Sequence, residues 1–205
     1  MKNSLLALLL FTLLCSGLAS AATLRFDPPY KLTLGEEVSI GLVLDGLDAT
    51  AGPLAGAFDI TIAYDPSIIR HTSLIIQPGL GDEAAFEVLT STGGFPGEAS
   101  LSAVSLLDYS ALAALQTGSS LRLATLVFTP WGVGVSPLTI TSQVVSGLFP
   151  NPSSPGAADV EILPVSLETG AIEVQRVVPE PGTWAFLGLG LATLAAVSRR
   201  GRHQD

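Results

Sequence analysis

Apolar residues recur at every second position through most of this chain. Val38, Ile40, Leu42 and Leu44 alternate with Ser39, Gly41 and Val43, and Phe58, Ile60, Ile62 and Tyr64 alternate with Asp59, Thr61 and Ala63. Leu138, Ile140, Ser142 and Val144 alternate with Thr139, Thr141 and Gln143, and Ile172 and Val174 with Ala171, Glu173 and Gln175. A period of two sends one set of side chains into a core and the other toward water, so each run reads as a strand buried on one face. Ser120–Thr129 is apolar on both faces more often, which suits a central strand. The candidate strands are Thr23–Asp27, Glu37–Leu44, Ala55–Tyr64, Ser73–Gln77, Ala84–Thr90, Ala99–Leu106, Ser120–Thr129, Leu138–Val145, Val160–Val165 and Ala171–Val177. Turn-rich stretches separate them at Asp45–Pro53, Pro78–Asp82, Thr92–Gly97 and Pro150–Gly156. Short strands at this spacing predict an all-β sandwich. The one helical candidate is Tyr109–Gln116, with Asp108 as its cap and Gly118 as its stop.

Both ends of the chain break the alternation. At the start, Lys2, the apolar run Leu5–Leu14 and the small residues Ala19-Ser20-Ala21 form a secretory signal peptide, removed by signal peptidase after Ala21 or Ala22. Cys15 invites a lipoprotein reading, but Leu14 stands where a lipobox needs a small residue. The cysteine then leaves with the leader, and the mature chain has no disulfide and no thiolate ligand. At the other end, Pro179-Glu180-Pro181-Gly182 precede the uncharged run Thr183–Val197, and Arg199, Arg200 and Arg202 follow it. As a helix that run spans roughly 22 Å, short of the roughly 30 Å hydrocarbon layer, so the bilayer thins around it or its flanks reach the interfaces. The arginines hold the cytoplasmic side, which puts the rest of the chain outside.

This layout resembles the C-terminal sorting signal of PEP-CTERM proteins of Gram-negative bacteria. The resemblance covers Val178–Arg202 and implies that an exosortase recognises Pro179, Glu180 and Pro181 and processes the chain there. A plain tail anchor behind a proline linker is the alternative. The expected organisation is a signal peptide at 1–21, a β-domain at 22–177 and a sorting signal at 178–202 with a transmembrane helix at 183–198. The expected route is export, a transient inner-membrane anchor with the domain in the periplasm, then the cell surface or extracellular matrix.

A second resemblance lies in the middle of the chain. Gly35-Glu36-Glu37-Val38-Ser39-Ile40, the run Phe58-Asp59-Ile60-Thr61-Ile62-Ala63-Tyr64-Asp65-Pro66 and Leu123-Ala124-Thr125-Leu126-Val127-Phe128 are similar to the cohesin-type jelly-roll sandwich, which is related to some carbohydrate-binding modules. It covers roughly Thr23–Val177. Cohesins dock a partner module, but no partner-binding residue can be matched here, so the resemblance implies fold more than function.

Between the two targeting segments the chain has five basic residues against 16 acidic ones, a net charge of −11. Such a domain does not hold nucleic acid by neutralising phosphates, and anionic lipid repels it. The acidity reads first as solubility outside the cell. Ca²⁺ is the cation that Asp82, Glu83 and Glu87, or Asp45 and Asp48, would take as oxygen ligands, but no defined calcium loop is present. No other metal or cofactor is expected. Asp65, in Tyr64-Asp65-Pro66-Ser67, reads as a turn former, and alternatively as a ligand-facing carboxylate. His71 is the one histidine left in the mature domain, and no Gly-x-Ser-x-Gly elbow accompanies it. Trp131, between Pro130 and Gly132, is the most suggestive of the loop aromatics, ahead of Tyr30, Tyr109, Phe95 and Phe149. The expectation is a non-enzymatic exported module that binds polysaccharide or acts structurally. A protein-docking module is the alternative, and a hydrolase of matrix polymers the third reading.

Overall fold

The computed structural model describes residues 22–27, 31–48, 50, 52–151, 153, 158–176 and 186–191. Twelve strands are β1 (Ala22–Phe26), β2 (Lys31–Thr33), β3 (Val38–Asp45), β4 (Leu54–Ala63), β5 (Ile69–Ile76), β6 (Val88–Gly93), β7 (Glu98–Ser105), β8 (Ser120–Pro130), β9 (Gly134–Pro150), β10 (Ala158–Ile162), β11 (Val165–Leu167) and β12 (Gly170–Gln175). An α-helix, α1 (Tyr109–Leu115), joins β7 to β8, and a 3₁₀ turn (Pro78–Leu80) follows β5. The strands form a five-stranded sheet in the order β11-β1-β3-β8-β5 and a seven-stranded sheet in the order β2-β12-β9-β4-β7-β6, with β10 beside β9. The expected all-β sandwich is therefore present.

The core is built by the inward sets of the two sheets. Leu24, Ile40, Leu42, Leu44, Leu126 and Phe128 come from the first sheet, and Ile60, Ile62, Leu101 and Ile172 from the second, all essentially without solvent contact. Each such side chain contributes about 1.5–3 kcal/mol by leaving water. The Tyr64 ring meets Phe128 edge-on at 5.4 Å between centroids. The predicted central position of β8 holds, since it lies between β3 and β5.

Several expectations are corrected. The inward set expected for β9 runs only to Ile140. A bulge at Thr141, where Thr61 faces Ser142 and Ile62 faces Ile140, reverses the parity. Ser142 and Val144 are therefore exposed and Val145 is buried. The single strand expected at Val160–Val165 is two strands in different sheets: β10 pairs with β9, and β11 runs parallel to β1. Pro164 has no N–H to continue the ladder, so the chain crosses between sheets there. β5 starts at Ile69 rather than Ser73, and β6 at Val88 rather than Ala84, because Asp82–Glu87 is a loop closed by the Asp82 carboxylate accepting the Ala84 N–H at 2.9 Å. Asp108 caps α1 as expected, its Oδ1 accepting the Ala111 N–H at 2.8 Å. The helix stops at Leu115 with Gln116 as its C-cap, ahead of Gly118. β2 was not expected.

The signal peptide with Ala19 and Ala21, the motif Pro179-Glu180-Pro181 and the arginines 199, 200 and 202 lie outside the described residues. Within the expected span 183–198, residues 186–191 are helical. No helix among the described residues is long and apolar enough to cross a membrane.

Candidate functional site

The acidic residues considered for a metal are engaged with the chain itself. Asp45 accepts from Arg25 Nε at 2.5 Å and from the Ser120 hydroxyl, and Asp27 pairs with both Arg25 and Arg122, the latter at 2.8 Å. Burial pushes the Asp45 carboxyl up, but the Ser120 and Arg25 hydrogen bonds outweigh it and hold it below the usual range. This ladder lies across the outer face of the first sheet, over Val43, whose cross-strand neighbours are Arg25 and Arg122 and which is 4% exposed. Gly41 leaves room for the Arg122 guanidinium: a Cβ there would stand 2.9 Å from Arg122 Nε. Asp48 Oδ1 holds the Thr50 N–H and hydroxyl at 2.9 and 2.6 Å. Glu87 accepts the Asp82 N–H at 3.0 Å, and Glu83 the Thr90 hydroxyl at 2.9 Å. Among the described residues no group of three His, Cys, Asp or Glu side chains is arranged to hold a metal ion.

A groove of about 830 Å³ opens where the two sheets part, between β5 and the β6–β7 hairpin. Arg70, His71, Thr72 and Ser73 form one wall, and Thr92, Phe95 and Glu98 the other. The hairpin wall depends on Gly94. Its φ is +145°, and a Cβ there would overlap the Glu98 carbonyl oxygen. The Glu98 N–H donates back to the Phe95 carbonyl at 2.8 Å, leaving the Phe95 ring 78% exposed at the tip.

Trp131 is connected to this groove through Arg70, which lines it. It is 60% exposed, and the Arg70 guanidinium carbon lies 3.5 Å from its ring centroid. Its backbone is fixed, since the Trp131 and Gly132 N–H groups both donate to the Ile68 carbonyl, at 2.8 and 3.0 Å. Ile68 belongs to the turn that Asp65 begins. There Asp65 Oδ1 accepts the Ser67 N–H at 2.8 Å and the Ser67 hydroxyl at 2.6 Å, hydrogen bonds that hold its carboxyl below the usual range. The two candidate ligand-binding residues thus share one corner, but their parts differ: the Asp65 carboxylate shapes the turn, and the Trp131 ring faces solvent. Arg70 and Glu98 carried no signal in the sequence beyond their charge. Lys31, Arg25 and Arg122 each have a carboxylate within 4 Å, whereas Arg70 rests on an indole. A stacked guanidinium keeps its in-plane N–H donors for a ligand.

His71 belongs to the groove wall, its ring edge-on to Phe128 at 5.9 Å, and its Nε2 is buried without a hydrogen-bond partner. Among the described residues no carboxylate is hydrogen-bonded to it, as a catalytic histidine base requires. Burial holds its imidazole below the ordinary histidine value of about 6.5, and a hydrogen bond with the Ser73 backbone pulls weakly the other way. The unfolded chain therefore takes up this proton first, so the contribution is full above about pH 6.5 and is lost as the pH falls. We expect His71→Leu to flatten the decline in urea midpoint between pH 7.5 and 5. An unchanged slope would assign that decline to other groups.

Residues 177–200 match the PEP-CTERM protein-sorting motif. The chain carries this motif. The motif implies export to the cell surface by way of membrane anchoring. The sandwich is similar to a cohesin module from a family 33 glycoside hydrolase of Clostridium perfringens, with a TM-score of 0.54, 11% identity, and 76% of this chain and 98% of that one covered. It is also similar to a type II cohesin domain from the cellulosome of Acetivibrio cellulolyticus (TM-score 0.53, 11% identity, 74% and 95% covered). A type I cohesin from Clostridium thermocellum, solved as a cohesin–dockerin complex, gives a TM-score of 0.51 at 11% identity over 76% and 93%. The fold is the cohesin fold. No curated protein matches the chain.

Proposed function

We propose that this protein is a non-enzymatic surface or extracellular-matrix module, with a β-domain at 22–177, processed by an exosortase at Pro179–Pro181 and binding polysaccharide in the groove between β5 and the β6–β7 hairpin. The observation that carries the binding reading is the pairing of exposed rings with hydrogen-bonding groups at one opening: Trp131 under Arg70, and Phe95 beside Thr92 and Glu98. Sugars offer apolar ring faces to aromatics and hydroxyls to such donors and acceptors. Hydrolysis is poorly served, since glycoside cleavage uses two carboxylates: Glu98 is the one acid lining this groove, and Asp82 and Glu83 of the adjoining cleft accept from the Ala84 N–H and the Thr90 hydroxyl.

A second reading is docking of a protein partner on the outer face of the seven-stranded sheet. Register aligns Leu89, Val104, Ala57, Ser146 and Ile162 in one row across five strands. Leu89, Val104 and Ile162 in that row are 58%, 47% and 74% exposed. One pair of variants separates the readings. Trp131→Ala should weaken retention on native exopolysaccharide about tenfold, equal to about 1.4 kcal/mol, while Val104→Asp leaves it unchanged. Retention untouched by Trp131→Ala counts against the groove. Loss of a stoichiometric surface partner with Val104→Asp favours docking.

A further inference from the structure

The groove at Arg70 is one half of a longer channel. A second cleft of about 590 Å³ continues it toward Gln77, Asp82 and Thr90, and the two clefts share Leu74 and Thr92. Among the described residues β5 pairs only with β8 and β6 only with β7, so both are open edges and the channel runs between them. The opposite ends of the two sheets are the three-residue strands β11 and β2. The stretch Arg70–Ile76 along β5 measures about 20 Å, room for about four sugar rings.

The two halves differ in chemistry. The first presents the Arg70–Trp131 pair and the Phe95 ring. The second is lined by Gln77, Asp82, Glu83 and Thr90, whose oxygens keep accepting capacity while the Gln77 amide donates to Thr125 at 3.2 Å and the Thr90 hydroxyl to Glu83 at 2.9 Å. A polypeptide adding to β5 would need a regular ladder, and the bulge at Thr72 breaks it. The Thr72 hydroxyl already donates to the Val127 carbonyl at 3.1 Å.

We propose, resting on the polysaccharide reading above, that the channel is an extended site for a linear polysaccharide, holding about four consecutive sugars along β5, with ring stacking at the Arg70 end and hydrogen bonding at the Gln77 end. The test uses the mature protein and native exopolysaccharide cut by partial acid hydrolysis into sized fragments. Affinity should climb at least tenfold between two and four sugars and then level. Thr90→Trp, which fills the second cleft, should remove that gain and leave the two-sugar affinity in place. The length series on the unaltered protein stands even where this variant folds poorly. Binding of the intact polymer with an affinity already level at two sugars would overturn the extended site and leave the polysaccharide reading intact. A length gain that survives in folded Thr90→Trp would also overturn it. Failure to bind even the intact polymer would overturn both. Displacement of bound fragments by an extended Val-Thr repeat peptide, with binding that follows peptide length, would assign the channel to a polypeptide strand.

Discussion

Gln116→Ala is expected to lower the unfolding free energy by about 2–6 kcal/mol, the sum of two buried backbone groups left without partners at about 1–3 kcal/mol each. Gln116 is 3% exposed, and its side-chain amide does the work of a missing strand. β7 reaches along β4 only as far as the Ala57–Val104 pair. Beyond that point Gln116 Oε1 accepts the Ala55 N–H, and Nε2 donates to the Ala55 carbonyl, both at 2.8 Å. Nε2 also donates to the Gly79 carbonyl at 3.0 Å, tying the end of α1 to the 3₁₀ turn. Gln116→Glu should be at least as costly, because it turns the donor toward two carbonyls into a second acceptor. Urea denaturation of both variants measures this, and a loss below about 1 kcal/mol for the alanine variant would mean that water replaces the amide.

Replacing Pro179, Glu180 and Pro181 together by alanine should abolish processing. In the unaltered protein the mature chain should end near Pro181, bare or carrying an added group. In the variant the intact mass should run through Asp205, with the protein retained in the inner-membrane fraction. Equal masses from both would make the tail a permanent anchor and would remove the exosortase from the proposal.

Linear features were the legible ones. The tail motif is a contiguous string, so it could be read without knowing any fold. The strands β3, β4 and β12 were readable because their alternation is unbroken over most of their length, and the Asp108 cap because it acts within its own helix. What failed depends on a partner strand. Parity along one strand says nothing of a bulge, so Thr141 reversed the faces of β9 and Thr72 those of β5 unannounced. Three residues of β2 become a strand only because β12 lies beside them. The groove followed the same rule. Trp131 and Phe95 stood out as loop aromatics, whereas Arg70 acquires meaning only when the end of β8 brings the indole beneath it. Asp65, read mainly as a turn former, has its Oδ1 engaged by Ser67 in that turn.

β12 is the last strand among the described residues and lies between β2, running parallel to it, and β9, running antiparallel. Any tether beyond Gln175 therefore pulls lengthwise on a strand held along both margins. Its ladder bonds resist together in shear instead of opening one after another. A load applied at the far side of the seven-stranded sheet, where β6 borders the groove, would pass through β7, β4 and β9 before it reached that strand. On the proposed reading the grip beside β6 and the tail that follows β12 would lie toward opposite margins of one sheet, an arrangement that carries load across its width.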